Sequence, residues 1–142
     1  QIATIIQANL ADIGINVTLE PMETATLKST CVDGNQELFL WRWNEDSKVD
    51  FVYRDLFYTG SGSNYHHYSD SKADEMIDIV ATEKDQDKRL ETAKELQTYL
   101  VDACPQVPLY IANLVVAYNK NLQGQYFYGG GNHDWRHAYI AE

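Results

Sequence analysis

The chain has 142 residues and a formal net charge of −10, enough for one domain with a buried core and too acidic for nucleic acid, whose phosphates need clustered Lys and Arg. Its 44% apolar and 12% aromatic content excludes a disordered chain, and no apolar run reaches membrane-spanning length. There is no initiator Met, no basic n-region and no signal h-region, and helical periodicity begins with the first residues; this reads as a domain excised from a longer protein.

Ile2, Ile5, Ile6, Leu10 and Ile13 fall on one helical face, with Gly14 placed to end the helix. Ile15, Val17 and Leu19 then alternate as a strand stopped by Pro21. A short helix follows from Met22 to about Ser29, and Asp33-Gly34-Asn35 is a turn signal. Glu37 to Trp43 reads as a second strand, with Phe39, Trp41 and Trp43 on one face and Leu38 and Leu40 on the other. Val49, Val52, Tyr53 and Leu56 predict a helix over 48–58, and Thr59 to Asn64 a loop.

Ala73, Met76, Ile77 and Val80 mark a helix capped by Ser71 or a neighbour. Leu90, Ala93, Leu96 and Leu100 mark a longer one, started near Asp85 and stopped before Pro105. Residues 107–111 and 114–118 read as strands, and the tail around Gly129-Gly130-Gly131 as irregular and aromatic. Helices alternating with strands predict an α/β layer fold with a central sheet, in one domain. Two cysteines, Cys31 and Cys104, fit no zinc spacing and read as two free thiols, with a bridge left open.

The strand ending in Trp43-Asn44-Glu45-Asp46 is the first candidate site. A carboxylate fixed at a strand end can pair with a ligand ammonium while an indole face covers the ligand's apolar part. The bland alternative makes Trp43 core and Asp46 a turn or capping residue. The adjacent histidines His66 and His67 suggest metal, but neighbours on a strand point to opposite faces. His133 and His137 have i,i+4 spacing without the Glu of a zincin, so all four read as surface histidines. Gly60-Ser61-Gly62 is not a nucleophile elbow, and Gly129 to Gly131 is not a phosphate loop. No catalytic constellation, metal site or cofactor site emerges.

Taken in order, Gln7-x-x-Leu10-x-x-Ile13-Gly14-Ile15-x-Val17, Trp43-x-x-Asp46-x-x-x-Asp50, Asn64-x-x-x-Tyr68, Asp85-x-x-x-Arg89, Gln97, Pro105-x-x-Pro108-Leu109 and Asn121-Leu122-x-Gly124 form a series. The series resembles the C-terminal part of the extracytoplasmic solute-binding proteins of ABC importers, in the large peptide/nickel-type family 5, over essentially the whole chain. The resemblance implies an α/β, periplasmic-binding-protein-like (type II) lobe with a central mixed sheet flanked by helices. Residues 1–142 would be a truncated C-terminal lobe, whose partners are the N-terminal lobe of the same full-length chain, ABC permease subunits and a peptide or other small solute.

It implies an extracytoplasmic location, periplasmic or lipid-anchored as a lipoprotein. It also implies that Asp46 receives a peptide's α-ammonium and that Trp43 lines the pocket, with Asn44, Glu45, Trp41 and Asn64 beside them. Asn64 matches a family loop asparagine whose role is more structural than ligand-contacting. Phe51 stands where the family often has proline after the position matching Asp50, Glu45 is an extra acid, and Trp41-Arg42 is unusual; these departures bear on which ligand is bound. Nickel, opine or sugar binding is the alternative within the family. A metal-dependent hydrolase built on the four histidines and an interaction module built on the tail from Tyr126 to Tyr139 are the alternatives outside it.

Overall fold

The computed structural model describes residues 1–43, 49–113, 115–127 and 132–141. Among the described residues, five helices come first: α1 (Ile2–Asp12), α2 (Thr24–Val32), α3 (Val49–Phe57), α4 (Ser71–Thr82) and α5 (Gln86–Ala103). Four two-residue strands follow: β1 (Leu122–Gln123), β2 (Tyr126–Phe127), β3 (His133–Asp134) and β4 (Tyr139–Ile140).

The core lies where α3, α4 and α5 meet. Leu56 and Phe57 of α3, Ala73, Ile77 and Val80 of α4, and Ala93, Leu96 and Leu100 of α5 form one buried cluster. The i, i+4, i+7 spacing in α4 and the i, i+3, i+7 spacing in α5 put each set on one helical stripe, and the adjacent Leu56 and Phe57 at the end of α3 close on both. Leu90, grouped with that face by periodicity, is instead exposed at the start of α5. The side chain of Asp70, not Ser71, caps α4 by accepting from the Lys72 and Ala73 amides. Asp85 caps α5 in the same way, accepting from Asp87 and Lys88. Each satisfies amides that the first helical turn leaves without a partner.

The helices α1 and α2 lie outside that core, and their ends are defined by glycine. At the end of α1, Gly14 has φ +84°, its N–H donates to Ala11 and that of Ile15 to Leu10. At the end of α2, Gly34 has φ +70°, its N–H donates to Cys31 and that of Asn35 to Thr30. Both are Schellman closures, which need a residue tolerant of the left-handed region. The second helix therefore runs two to three residues later than its predicted span, up to the turn signal at 33–35. Cys31 is buried and Cys104 exposed, and both are free thiols.

The predicted strands are the main correction. Residues 15–19, 37–43, 107–111 and 115–118 are not paired in ladders, and 114 lies outside the described residues. Among the described residues there is no central sheet. Alternating side chains set which residues share a face, but a strand exists only when a second backbone lies within hydrogen-bonding reach. In these segments Leu38, Val107, Ile111 and Val115 stand exposed. The pairing instead occurs in the tail, where β1 pairs antiparallel with β4 (Leu122 opposite Ile140) and β2 with β3 (Phe127 opposite His133). One hairpin is nested within the other.

Candidate functional site

The strip 37–43 keeps its predicted sidedness without being a ladder strand. Phe39 meets the His66 ring edge-on at 6.3 Å, and Trp41 meets Tyr65 edge-on at 5.2 Å. Trp43 packs against the α3–α5 core, while Leu38 and Leu40 face outward and are exposed. The strip's aromatic face thus rests on the loop between α3 and α4. Gln36 fastens its start, its Nε2 donating to the Tyr65 carbonyl at 2.9 Å.

That loop is organised by Asn64, a polar side chain only 5% exposed. Its Nδ2 donates to the carbonyls of Tyr58 (3.1 Å) and Tyr68 (2.7 Å), and its Oδ1 accepts from the Tyr68 amide at 3.1 Å. These bonds fix which end of the amide is oxygen. The His66 Nδ1, 3.1 Å from the same Oδ1, must therefore carry the proton and donate, since the acceptor cannot exchange roles. The other ring nitrogen of His66 lies 3.3 Å from Gln106 Oε1. Burial first, and the charge of His67 second, hold His66 below the ordinary histidine range.

Of the sequence-predicted site residues, Trp41, Trp43 and Asn64 are thus brought together around one loop. Asn64, expected in the ligand-binding set, is a backbone-bracing node here. Trp41 and Trp43 turn their rings onto the chain's own loop and core. The buried Trp43 Nε1 has no hydrogen-bond partner among the described residues. Asn44, Glu45 and Asp46 lie outside the described residues. Tyr65 and His66 were not singled out as part of this site; their only signal was an aromatic cluster after a glycine-rich loop.

The histidines do not converge on a metal. His67 points the other way from His66, with its Nε2 2.8 Å from the Cys31 carbonyl at the end of α2. In the tail, His133 stacks on Trp135 at 5.6 Å and meets Phe127 edge-on at 5.0 Å. No group of three His, Cys, Asp or Glu able to hold a metal occurs among the described residues. The tail rings pack partly on one another, Tyr118 stacking on Phe127 at 6.3 Å.

Among the described residues, the site is an aromatic strip, 37–43, seated on the loop that Asn64 braces. The model for bacterial extracellular solute-binding proteins, family 5 Middle, matches residues 1–65. The chain is 25% identical over 130 residues to the probable D,D-dipeptide-binding periplasmic protein DdpA of Escherichia coli K12, covering 89% of this chain and 25% of that protein. It is 27% identical over 141 residues to the probable ABC transporter periplasmic-binding protein SapA of the same organism, covering 96% of this chain and 26% of that one. Against the di/tripeptide-binding protein 2 of Pseudomonas aeruginosa it is 27% identical over 128 residues, covering 87% and 24%.

The chain is thus similar to the family 5 bacterial extracellular solute-binding proteins, through the family model over residues 1–65 and through these relatives along most of its length. It spans about a quarter of the length of the curated relatives it matches.

Proposed function

We propose that the chain is part of the substrate-binding component of an ABC importer, which binds peptides outside the membrane and delivers them to the permease subunits. The observation that carries this is the agreement among relatives. Proteins named for D,D-dipeptide binding, peptide transport and di/tripeptide binding match along 86% to 89% of the chain. The protein acts in the periplasm or as a lipoprotein anchored at the outer face of the membrane, and it is not an enzyme.

In this reading, residues 1–142 belong to the second, type II lobe of a two-lobed protein. The strips 15–19, 37–43, 107–111 and 114–118 pair there with strands from elsewhere in the full-length chain, building the central mixed sheet. The outward apolar side chains of Leu38, Val107, Ile111 and Val115 support it, because they are flanks that a neighbouring layer would cover. The N-terminal lobe closes over the ligand and supplies contacts the present chain lacks. The isolated chain is therefore expected to bind peptide weakly or not at all.

Asp46 receives the α-ammonium, flanked by Asn44 and Glu45. Trp41 and Trp43 form the wall behind them, and Asn64 holds the loop on which the wall rests. A hydrogen bond to a charged group is worth about 1.5–3 kcal/mol, or roughly ten- to a hundredfold in affinity. Calorimetry on the full-length protein tests the assignment. Asp46→Asn should weaken a free-amine peptide by about that factor and spare its N-acetylated form. Equal losses for both peptides would remove Asp46 from the ammonium role.

A further inference from the structure

Outside the buried cluster, α4 and α5 leave an open groove of about 620 Å³ between them. The two helices run antiparallel, because residues 83–85 join them and the start of α4 meets the end of α5. There the Tyr99 hydroxyl donates to Asp70 Oδ2 at 3.0 Å, and the Lys72 ammonium lies 4.6 Å from the centre of the Tyr99 ring. Each helix turns one stripe to the groove: Lys72, Glu75, Met76 and Ile79 on α4, and Glu95, Tyr99 and Asp102 on α5.

The groove joins apolar surface to negative charge. Met76 and Tyr99 pack partly against the core, whereas Ile79 is 40% exposed. Among the described residues that line it, three are carboxylates and Lys72 is the one cation, already seated on the Tyr99 ring. Charge therefore selects the occupant. Anionic membranes and nucleic acid are repelled, and a second copy of the chain would bring its own net charge of −10 to the same carboxylates. A cationic partner with an apolar stripe complements both features. A groove between helices takes such a stripe most readily from a third helix, whose anchors fall at i, i+3, i+4 and i+7.

We propose that the α4–α5 groove docks a basic amphipathic helix of a partner protein. The helix's apolar stripe seats on Met76, Ile79 and Tyr99, and its lysines or arginines face Glu75, Glu95 and Asp102. None of these residues belongs to the strip or the loop of the candidate ligand site, so the inference does not depend on which solute is bound there.

The probe is a dye-labelled helical peptide of leucine and lysine, its leucines on one face and both ends blocked so that it offers no α-ammonium. Fluorescence anisotropy follows its binding to the full-length protein, which should weaken as salt rises. Glu75→Lys with Glu95→Lys should lower the affinity about tenfold, the scale of two exposed pairs lost and two repulsions gained. Ile79→Ser should lower it about fivefold through lost apolar contact. Asp12→Lys with Asp33→Lys makes the same charge change at the exposed C-terminal ends of α1 and α2, where a cation suits the helix dipole. That control should leave the affinity within about twofold of the wild type. Should the reversed protein fail to fold, Glu75→Gln with Glu95→Gln carries the test, with an expected loss of about threefold. The proposal is overturned if the wild-type protein does not bind the probe, or if the folded groove variants bind it unchanged. An equal loss in the Asp12 and Asp33 control would also overturn it, as would equal binding of a peptide of the same composition with its leucines scattered.

Discussion

Replacing Asn64 by alanine should be among the most damaging single changes in the loop between α3 and α4. Its side chain serves three backbone groups at once: the Tyr58 carbonyl, the Tyr68 carbonyl and the Tyr68 amide. At 5% exposure water has little access to replace it. Each net hydrogen bond is worth about 1 kcal/mol, and a buried group left unpaired costs about 1–3 kcal/mol. Three such groups give an expected loss of about 3 kcal/mol for Asn64→Ala. Asn64→Asp sharpens the reasoning, because it keeps the oxygen that accepts from Tyr68 but sets a second carboxylate oxygen against two carbonyls. At neutral pH it should cost at least as much as alanine, and it should recover in part when acid protonates the new carboxyl. Urea unfolding of the full-length protein, followed by far-ultraviolet circular dichroism at two pH values, reads both effects. A loss below about 1 kcal/mol for N64A, or an N64D protein as stable as wild type at pH 7, would refute the bracing role.

Two further outcomes concern protons and caps. The Ala73 amide foremost, helped by the Tyr99 hydroxyl and the Lys72 amide, holds the Asp70 carboxyl below its usual range. Its contribution to stability is present above the ordinary aspartate value and is lost as pH falls through the lowered one. Asp70→Asn should therefore flatten the acid limb of the stability profile, while Ser71→Ala leaves the thermal midpoint unchanged. His66 is favoured neutral, so its contribution is complete above an ordinary histidine value of about 6.5 and is lost as pH falls through its depressed value. An imidazole titration by nuclear magnetic resonance should show the Nδ1–H form at neutral pH and a midpoint below about 6.5; a midpoint at or above that value would contradict it.

The helices were legible because their evidence is local. Ala73, Ile77 and Val80, or Ala93, Leu96 and Leu100, recur at helical spacing and need only one another's stripes to be buried. The cap at 70–71 was ambiguous because aspartate and serine are both good caps, and only the bonds from Lys72 and Ala73 separate them. The strands failed for the opposite reason. Alternation at 37–43 correctly put Phe39, Trp41 and Trp43 on one side, yet pairing depends on a neighbouring backbone that no local pattern names. The tail pairings escaped notice because Leu122 and Ile140 meet across a nested hairpin through two-residue strands. Motif order singled out Trp43 and Asn64, and Trp41 stood out beside them as an unusual neighbour. Tyr65 and His66 did not stand out, because their role comes from contacts between segments more than twenty residues apart.

The proposed role of the full-length protein is to capture peptides by their free amino end. The most direct measurement is mass spectrometry of whatever ligand the full-length protein retains through purification. The account predicts a short peptide or mixture of peptides with unblocked N-termini. Recovery of nickel, an opine or a sugar in their place would contradict it.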